Sequence, residues 1–238
     1  MKRLVVFLAA AAALLPAFCP GARAQSFPSG NEKLEYAIRH SFFPGEIGTM
    51  SFRGTDRGDT YAVEATLDAA VGNIYALDCR YGSTFRKDAG LTPVAASRSQ
   101  TEKKYWAKGN YTWSAPGKVQ MDVTKSTRPP RNETLLWSGT VRDLLGTIWW
   151  LRSLDYGQAG ISAGNNALLL DHDAIPVTVT SHEMKTIRHK GKETPVIEIV
   201  LSQNEKEALR LTLTDDSHRT PLRFSLSLPF GTIKGTLK

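Results

Sequence analysis

Asp171-His172-Asp173 is the most site-like triplet in the chain. An imidazole between two carboxylates suits proton transfer and, with added ligands, a divalent metal. On a strand, however, Asp171 and Asp173 point to one face and His172 to the other. A metal would need ligands from His182 or His189, and the chain has neither a His-x-His nor a His-x-x-x-His pair. The triplet therefore reads as a solvated strand start or turn, with no metal and no cofactor expected. A serine nucleophile needs a base and a group that orients it. His40, His172, His182, His189 and His218 all stand beside polar or charged residues, the setting of surface histidines. No P-loop, dinucleotide fingerprint or paired-cysteine metal pattern occurs. The expectation is a protein that is not an enzyme, with a hydrolase using Asp171, His172 and Asp173 as an outside alternative.

The aromatic residues are more suggestive. Tyr105, Trp106, Tyr111 and Trp113 fall close together among Lys103, Lys104 and Lys108, and Trp137, Trp149 and Trp150 come later in the chain. Such residues line a ligand groove, stack on sugars, or pack a curved sheet. Trp149 and Trp150 are neighbours on a predicted helix and diverge by about 100°. Both can be buried only if that helix is covered on two sides. The candidate ligand-binding residues are Trp106, Trp113, Trp149, Trp150 and Arg152.

These residues belong to a chain that reads as exported. Met1-Lys2-Arg3 is a short basic start, Leu4 to Phe18 is almost unbroken apolar, and Ala22-Arg23-Ala24 offers a small-x-small cleavage site. That is the pattern of a secretory signal peptide over 1–24, cleaved near Ala24-Gln25. Its apolar run is short of the roughly 20 residues that span a bilayer, and no later segment is longer, so the mature chain is expected not to span a membrane. Phe18 and Pro20 make Cys19 a poor acylation site. Cleavage would remove Lys2, Arg3 and Arg23 from a net charge of +7. The remaining positive charge is scattered; Arg188-His189-Lys190-Gly191-Lys192 reads as a solvated turn, and no nucleic-acid partner is expected. Cys79 is then the only mature thiol, so no internal disulfide forms and the core must supply the stability.

Period-2 alternation dominates the mature chain. Leu34, Tyr36 and Ile38; Tyr61, Val63, Ala65 and Leu67; Leu209, Leu211 and Leu213; and Leu222, Phe224, Leu226 and Leu228 each alternate with polar residues. These are half-buried strands. Pro44-Gly45, Arg57-Gly58-Asp59, Pro116-Gly117-Lys118, Lys190-Gly191-Lys192, Asp215-Asp216-Ser217-His218 and Pro229-Phe230-Gly231 supply turns too short for parallel crossovers. Two segments break the pattern. Leu67–Leu77 has helical spacing at Val71, Ile74 and Tyr75. Thr140–Leu154 has an N-cap at Thr140, with Asp143 at the positive end of the dipole and Arg152 at the negative end. Its apolar residues cover nearly the whole circumference, so it should be buried on more than one side. Thr124–Asn132, with Pro129-Pro130, reads as the longest surface loop. The fold class is all-β and mainly antiparallel. About ten to twelve strands form a curved meander sheet, or an open or half barrel, with one or two short helices on the concave side. Residues 25–238 form a single domain.

Four stretches together resemble the exported bacterial family called domain of unknown function 3108. Gly30-Asn31-Glu32-Lys33-Leu34-Glu35-Tyr36 is similar to its opening strand, and Asp143-Leu144-Leu145-Gly146-Thr147-Ile148-Trp149-Trp150-Leu151-Arg152 to its helix. Asp215-Asp216 through Pro221 resembles its penultimate turn, and Gly231-Thr232-Ile233-Lys234-Gly235-Thr236-Leu237 its closing strand. Two departures stand out: Pro44-Gly45-Glu46 replaces an apolar-Gly step, and Trp149-Trp150 stands where tyrosines are more usual. The resemblance implies an envelope protein of mostly antiparallel β structure and implies no reaction. Asp143 and Arg152 match recurrent positions but lie on opposite sides of a helix and cannot pair with each other.

The expectation is a periplasmic or secreted, non-enzymatic protein that binds an apolar or amphipathic envelope component, a lipid or a lipoprotein. The alternative is a carbohydrate- or peptidoglycan-binding module built on the Tyr105–Trp113 aromatics.

Overall fold

A computed structural model describes residues 30–72, 75–88, 90–156, 165–228 and 231–238. The expected signal peptide and the Pro229-Phe230 part of the last turn lie outside the described residues. The elements run β1 (Glu32–His40), β2 (Gly48–Asp56), β3 (Thr60–Val71), β4 (Tyr75–Arg86), β5 (Pro93–Glu102), β6 (Tyr105–Ala115), β7 (Lys118–Lys125), β8 (Arg128–Leu136), β9 (Thr140–Arg142), α1 (Leu144–Ser153), β10 (Asn166–Leu170), β11 (Asp173–His189), β12 (Lys192–Gln203), β13 (Lys206–Thr214), β14 (Pro221–Leu228) and β15 (Gly231–Leu237). They form one 15-stranded sheet ordered β8-β7-β6-β5-β4-β3-β2-β1-β15-β14-β13-β12-β11-β10-β9. The chain's first and last strands therefore pair at the centre of the sheet, Tyr36 opposite Leu237, and its edges are two strands from mid-sequence.

The alternation does what it predicts. In β3, Tyr61, Val63, Ala65, Leu67 and Ala69 are buried, while Glu64, Thr66 and Asp68 are exposed. The buried faces of β1–β4 and β12–β13 converge on α1, where Tyr36, Phe52, Trp149, Leu151, Ile199 and Leu211 form the main core. Tyr36 meets Phe52 and Phe224 edge-on at 5.2 and 5.4 Å between ring centres, the arrangement that ring quadrupoles favour. A second core joins Tyr111, Trp113, Val119 and Met121 of β6–β7 to Val141, Ala167 and Leu169 of β9–β10. The inside of the sheet is thus filled by side chains. Among the described residues no helix is long and apolar enough to cross a membrane.

Four expectations need correction. Leu67–Leu77 is no helix: β3 runs to Val71 and β4 resumes at Tyr75, with Ala69 opposite Leu77 in the ladder. Backbone pairing overrides the helical spacing of a few apolar residues. Thr124–Asn132 is not a long loop but the turn of the β7–β8 hairpin, where Lys125 faces Arg128. Pro129 and Pro130 are tolerated because β8 is an edge strand and its ladder with β7 is interrupted between Val123 and Lys125, where the prolines lie. The helix starts at Leu144 behind an Asp143 cap, and Thr140–Arg142 is strand β9. Among the described residues the strands number fifteen, and one pairing is parallel, β9 with β10. The connection between those two carries α1, the long crossover that parallel pairing needs.

Where β8 turns into β9, the backbones come very close. A Cβ on Gly139 would stand 1.6 Å from the Asn165 carbonyl oxygen, and one on Gly117 would stand 2.1 Å from that of Trp137. Hydrogen bonds from Trp137 N to Gly117 O and from Val141 N to Pro116 O tie this corner to the β6–β7 turn. The two ends of the sheet are thereby drawn towards each other at one corner.

Candidate functional site

Helix α1 is the element that positions most of the buried polar chemistry. Its ladder begins where Asp143 Oδ1 accepts from the backbone N–H groups of Leu145 and Gly146, at 2.9 and 3.1 Å. Ser83 Oγ of β4 donates to the other carboxylate oxygen at 2.7 Å. Burial raises the Asp143 pKa despite these three donors. Arg142, just before the cap, lies 4.7 Å from the centre of the Trp150 ring. It donates to Asn166 Oδ1 and to the Gly90 carbonyl, each at 2.6 Å. Burial draws its pKa down to about 10.

At the other end, the Arg152 guanidinium is fully buried and grips Glu32 of β1 with two parallel hydrogen bonds, at 2.8 and 2.9 Å. It also donates to the carbonyls of Arg219 and His218, both at 3.0 Å, and stacks 4.8 Å from the Trp149 ring centre. A planar fork suits this bidentate pairing, which a lysine could not reproduce. Both tryptophans are buried, Trp149 among the core aromatics and Trp150 under Arg142. The helix is therefore covered on two sides. Asp143 and Arg152 do not meet; each has its own partner on the sheet.

Beside Trp149, a narrow cleft with room for about one water molecule lies between the helix and β1, β2, β13 and β14. Leu34, Tyr36, Phe52, Ile148, Leu211 and Phe224 line it, with Pro221 at one end. Tyr36 turns its hydroxyl away to the Pro221 carbonyl at 2.6 Å, leaving a carbon-lined wall. Burial raises the Tyr36 pKa well above the usual phenol range.

The Asp171 triplet is brought together rather than spread over two strand faces. Asp171, in a left-handed conformation with φ of 62°, ends the β10 side of the turn into β11. His172 Nδ1 lies 2.8 Å from Asp171 Oδ2, and its Nε2 lies 3.7 Å from Asp173 Oδ2. Nδ1 is thus within hydrogen-bond distance of a carboxylate, while Nε2 lies beyond that distance from Asp173. Arg98 of β5 and Lys125 of β7 also converge on the Asp171 carboxylate. Burial works against its charge, but Lys125, Arg98 and His172 outweigh it and hold the pKa below the ordinary carboxylate value. Among the described residues no three His, Cys, Asp or Glu side chains converge as metal ligands do. The string Gly160-Ile161-Ser162-Ala163-Gly164 has the spacing of a nucleophile elbow. It lies outside the described residues, between α1 and β10, where an elbow would follow a strand and open a helix.

The β6 aromatics do not form one surface. Trp106 is 39% exposed on one face, while Tyr111 and Trp113 are buried on the other. Trp113 Nε1 donates to the Val141 carbonyl at 2.9 Å, fixing β9 to β6. Cys79 is buried, and burial pushes its pKa up to about 11, the setting of an inert thiol. The partners Glu32, Ser83, Arg98 and Lys125 carry no local signal in the sequence. Each is an ordinary polar residue on a strand, made special by a residue far along the chain.

The architecture has relatives. A crystal structure of a β-barrel-like protein of domain of unknown function DUF1849 from Brucella abortus matches with a TM-score of 0.52 at 12% sequence identity. The match covers 87% of this chain and 94% of that one. At that identity the likeness is one of fold. A search of curated protein sequences gave no match. The model of the family described as protein of unknown function (DUF3108) matches residues 35–238, and the chain belongs to that family.

Proposed function

We propose that the protein is an exported, non-catalytic component of the cell envelope that holds an amphipathic ligand, a lipid or an acylated chain, against helix α1. The N-terminal pattern of basic start, apolar run and Ala-x-Ala supports export to the periplasm. The observation that carries the binding reading is the carbon-lined cleft beside Trp149. With room for only about one water molecule as it stands, it is a closed seam, far short of the roughly 300–1,000 Å³ of pockets that enclose small molecules. Entry of an apolar chain therefore requires α1 to withdraw from the sheet. Titration of the purified protein with lysophospholipid, read by tryptophan fluorescence, tests this. Saturable binding is expected, and Leu34→Trp, which fills the cleft, should abolish it without unfolding the protein. Ligand-free protein by native mass spectrometry, together with no saturable response, would sink the reading.

A further inference from the structure

We infer that a second site, remote in sequence from the helix cleft, binds an oxyanion of the phosphate class. It is a concavity lined by Lys125, Arg128, Arg131 and His172, with Val123 and Pro129. The register explains the gathering. Lys125 stands opposite Arg128 and Val123 opposite Arg131, so these side chains share the face on which Val123 enters the second core. The β10–β11 turn then brings His172 to the same place.

The charges do not balance. Arg98 and Lys125 are both spent on one carboxylate, Asp171. Arg131 reaches only Glu133, at 3.9 Å and with both side chains about half exposed. Arg128 makes no ion pair among the described residues. His172 faces Asp171 and, more distantly, Asp173, which is itself largely exposed. Four fixed cations thus stand against the carboxylates of Asp171, Asp173 and Glu133, a net positive charge that favours an anion. Lys125 and Arg98 are only 14% and 18% exposed, so their charge is poorly screened by water. Arginine forks and an imidazole match phosphate oxygens in geometry as well as charge. Phosphate can arrive free, on a soluble ester, or as a lipid headgroup; the chemistry recognised is the same. The site stands independently of the helix cleft.

Calorimetric titration of the full chain with inorganic phosphate at low salt tests this, with chloride as the control anion. Saturable binding to phosphate in preference to chloride is expected. Arg128→Ala with Arg131→Ala, both on the exposed edge strand, should weaken it at least tenfold. Lys108→Ala, on the opposite face of β6, should leave it unchanged. Asp171→Asn frees Arg98 and Lys125 and should tighten binding severalfold, a gain that a loosened fold would not give. Co-sedimentation with phosphatidylglycerol vesicles, dependent on Arg128 and Arg131 and absent with phosphatidylcholine, assigns the phosphate to a lipid headgroup. Phosphate binding without vesicle binding assigns it to a soluble ester. Equal binding of phosphate and chloride, or equal binding by wild type and the double arginine variant, overturns the site.

Discussion

Asp143 has two roles that pull its proton in opposite directions. As the N-cap of α1 it accepts hydrogen bonds best when ionised, yet its burial favours the neutral acid, and burial wins. Its pKa in the fold is raised, so the folded state holds this proton more tightly than the unfolded chain does. The stability it contributes is full below its ordinary value near 3.8 and is lost as pH climbs through the raised value. Asn caps helices as well as Asp, and the Ser83 hydroxyl can accept from an amide as readily as it donates to a carboxylate. Asp143→Asn should therefore unfold with less pH dependence than wild type. Urea unfolding from pH 4 to 8 should show the variant gaining on wild type as pH rises; parallel curves would refute this. At this scale the sequence was partly readable. Asp143 and Arg152 stood out as helix-end charges, but their partners did not. Glu32 is 120 residues from Arg152 and Ser83 is 60 from Asp143, separations across which no local pattern speaks.

At the scale of elements, the strands that alternate were legible and those that do not were missed. The β3 and β13 strands each bury one face, so their composition shows it. Strand β8 is exposed on both faces for most of its length and contains two prolines, so it carries neither a period-2 signal nor an ordinary strand composition. Strand β9 is three residues long and exists through its parallel pairing with β10. The corner between β8 and β9 depends on backbone approach rather than on side chains. Gly139→Ala should therefore destabilise the protein by about 1–3 kcal/mol, the usual cost of forcing atoms into a filled space. Thermal unfolding would measure it, and an unchanged melting temperature would show that the corner yields freely. The helix signal was strong for a different reason. Its apolar residues run all the way round, and burial of every residue from Leu145 to Ser153 is the structural counterpart.

Over the whole molecule, the alternation and short turns were enough to indicate a curved, mainly antiparallel sheet around a helix. They did not show the closure. Every neighbouring pair from β1 to β8 and from β10 to β15 is consecutive in sequence, and one non-local ladder, β1 with β15, joins the two halves. That ladder cannot be inferred from turn chemistry because no turn makes it. Deleting residues 231–238 should therefore cost far more than eight residues of contacts. It strips the partner from β1 and β14 together and leaves two half-sheets with raw central edges. The truncated protein is expected to aggregate or to lose its cooperative unfolding transition, as circular dichroism and sedimentation would show. A folded monomer would mean that the helix and the second core hold the halves together without the seam.

The same seam has a consequence in time. Strand β15 is made after every other strand described here and β1 before them, yet they lie side by side in the middle of the sheet. Each half can zip up hairpin by hairpin as it emerges, but this ladder cannot form until β15 is free. A chain threaded through a narrow passage would stay incomplete, and so pliable, until β15 had cleared the exit.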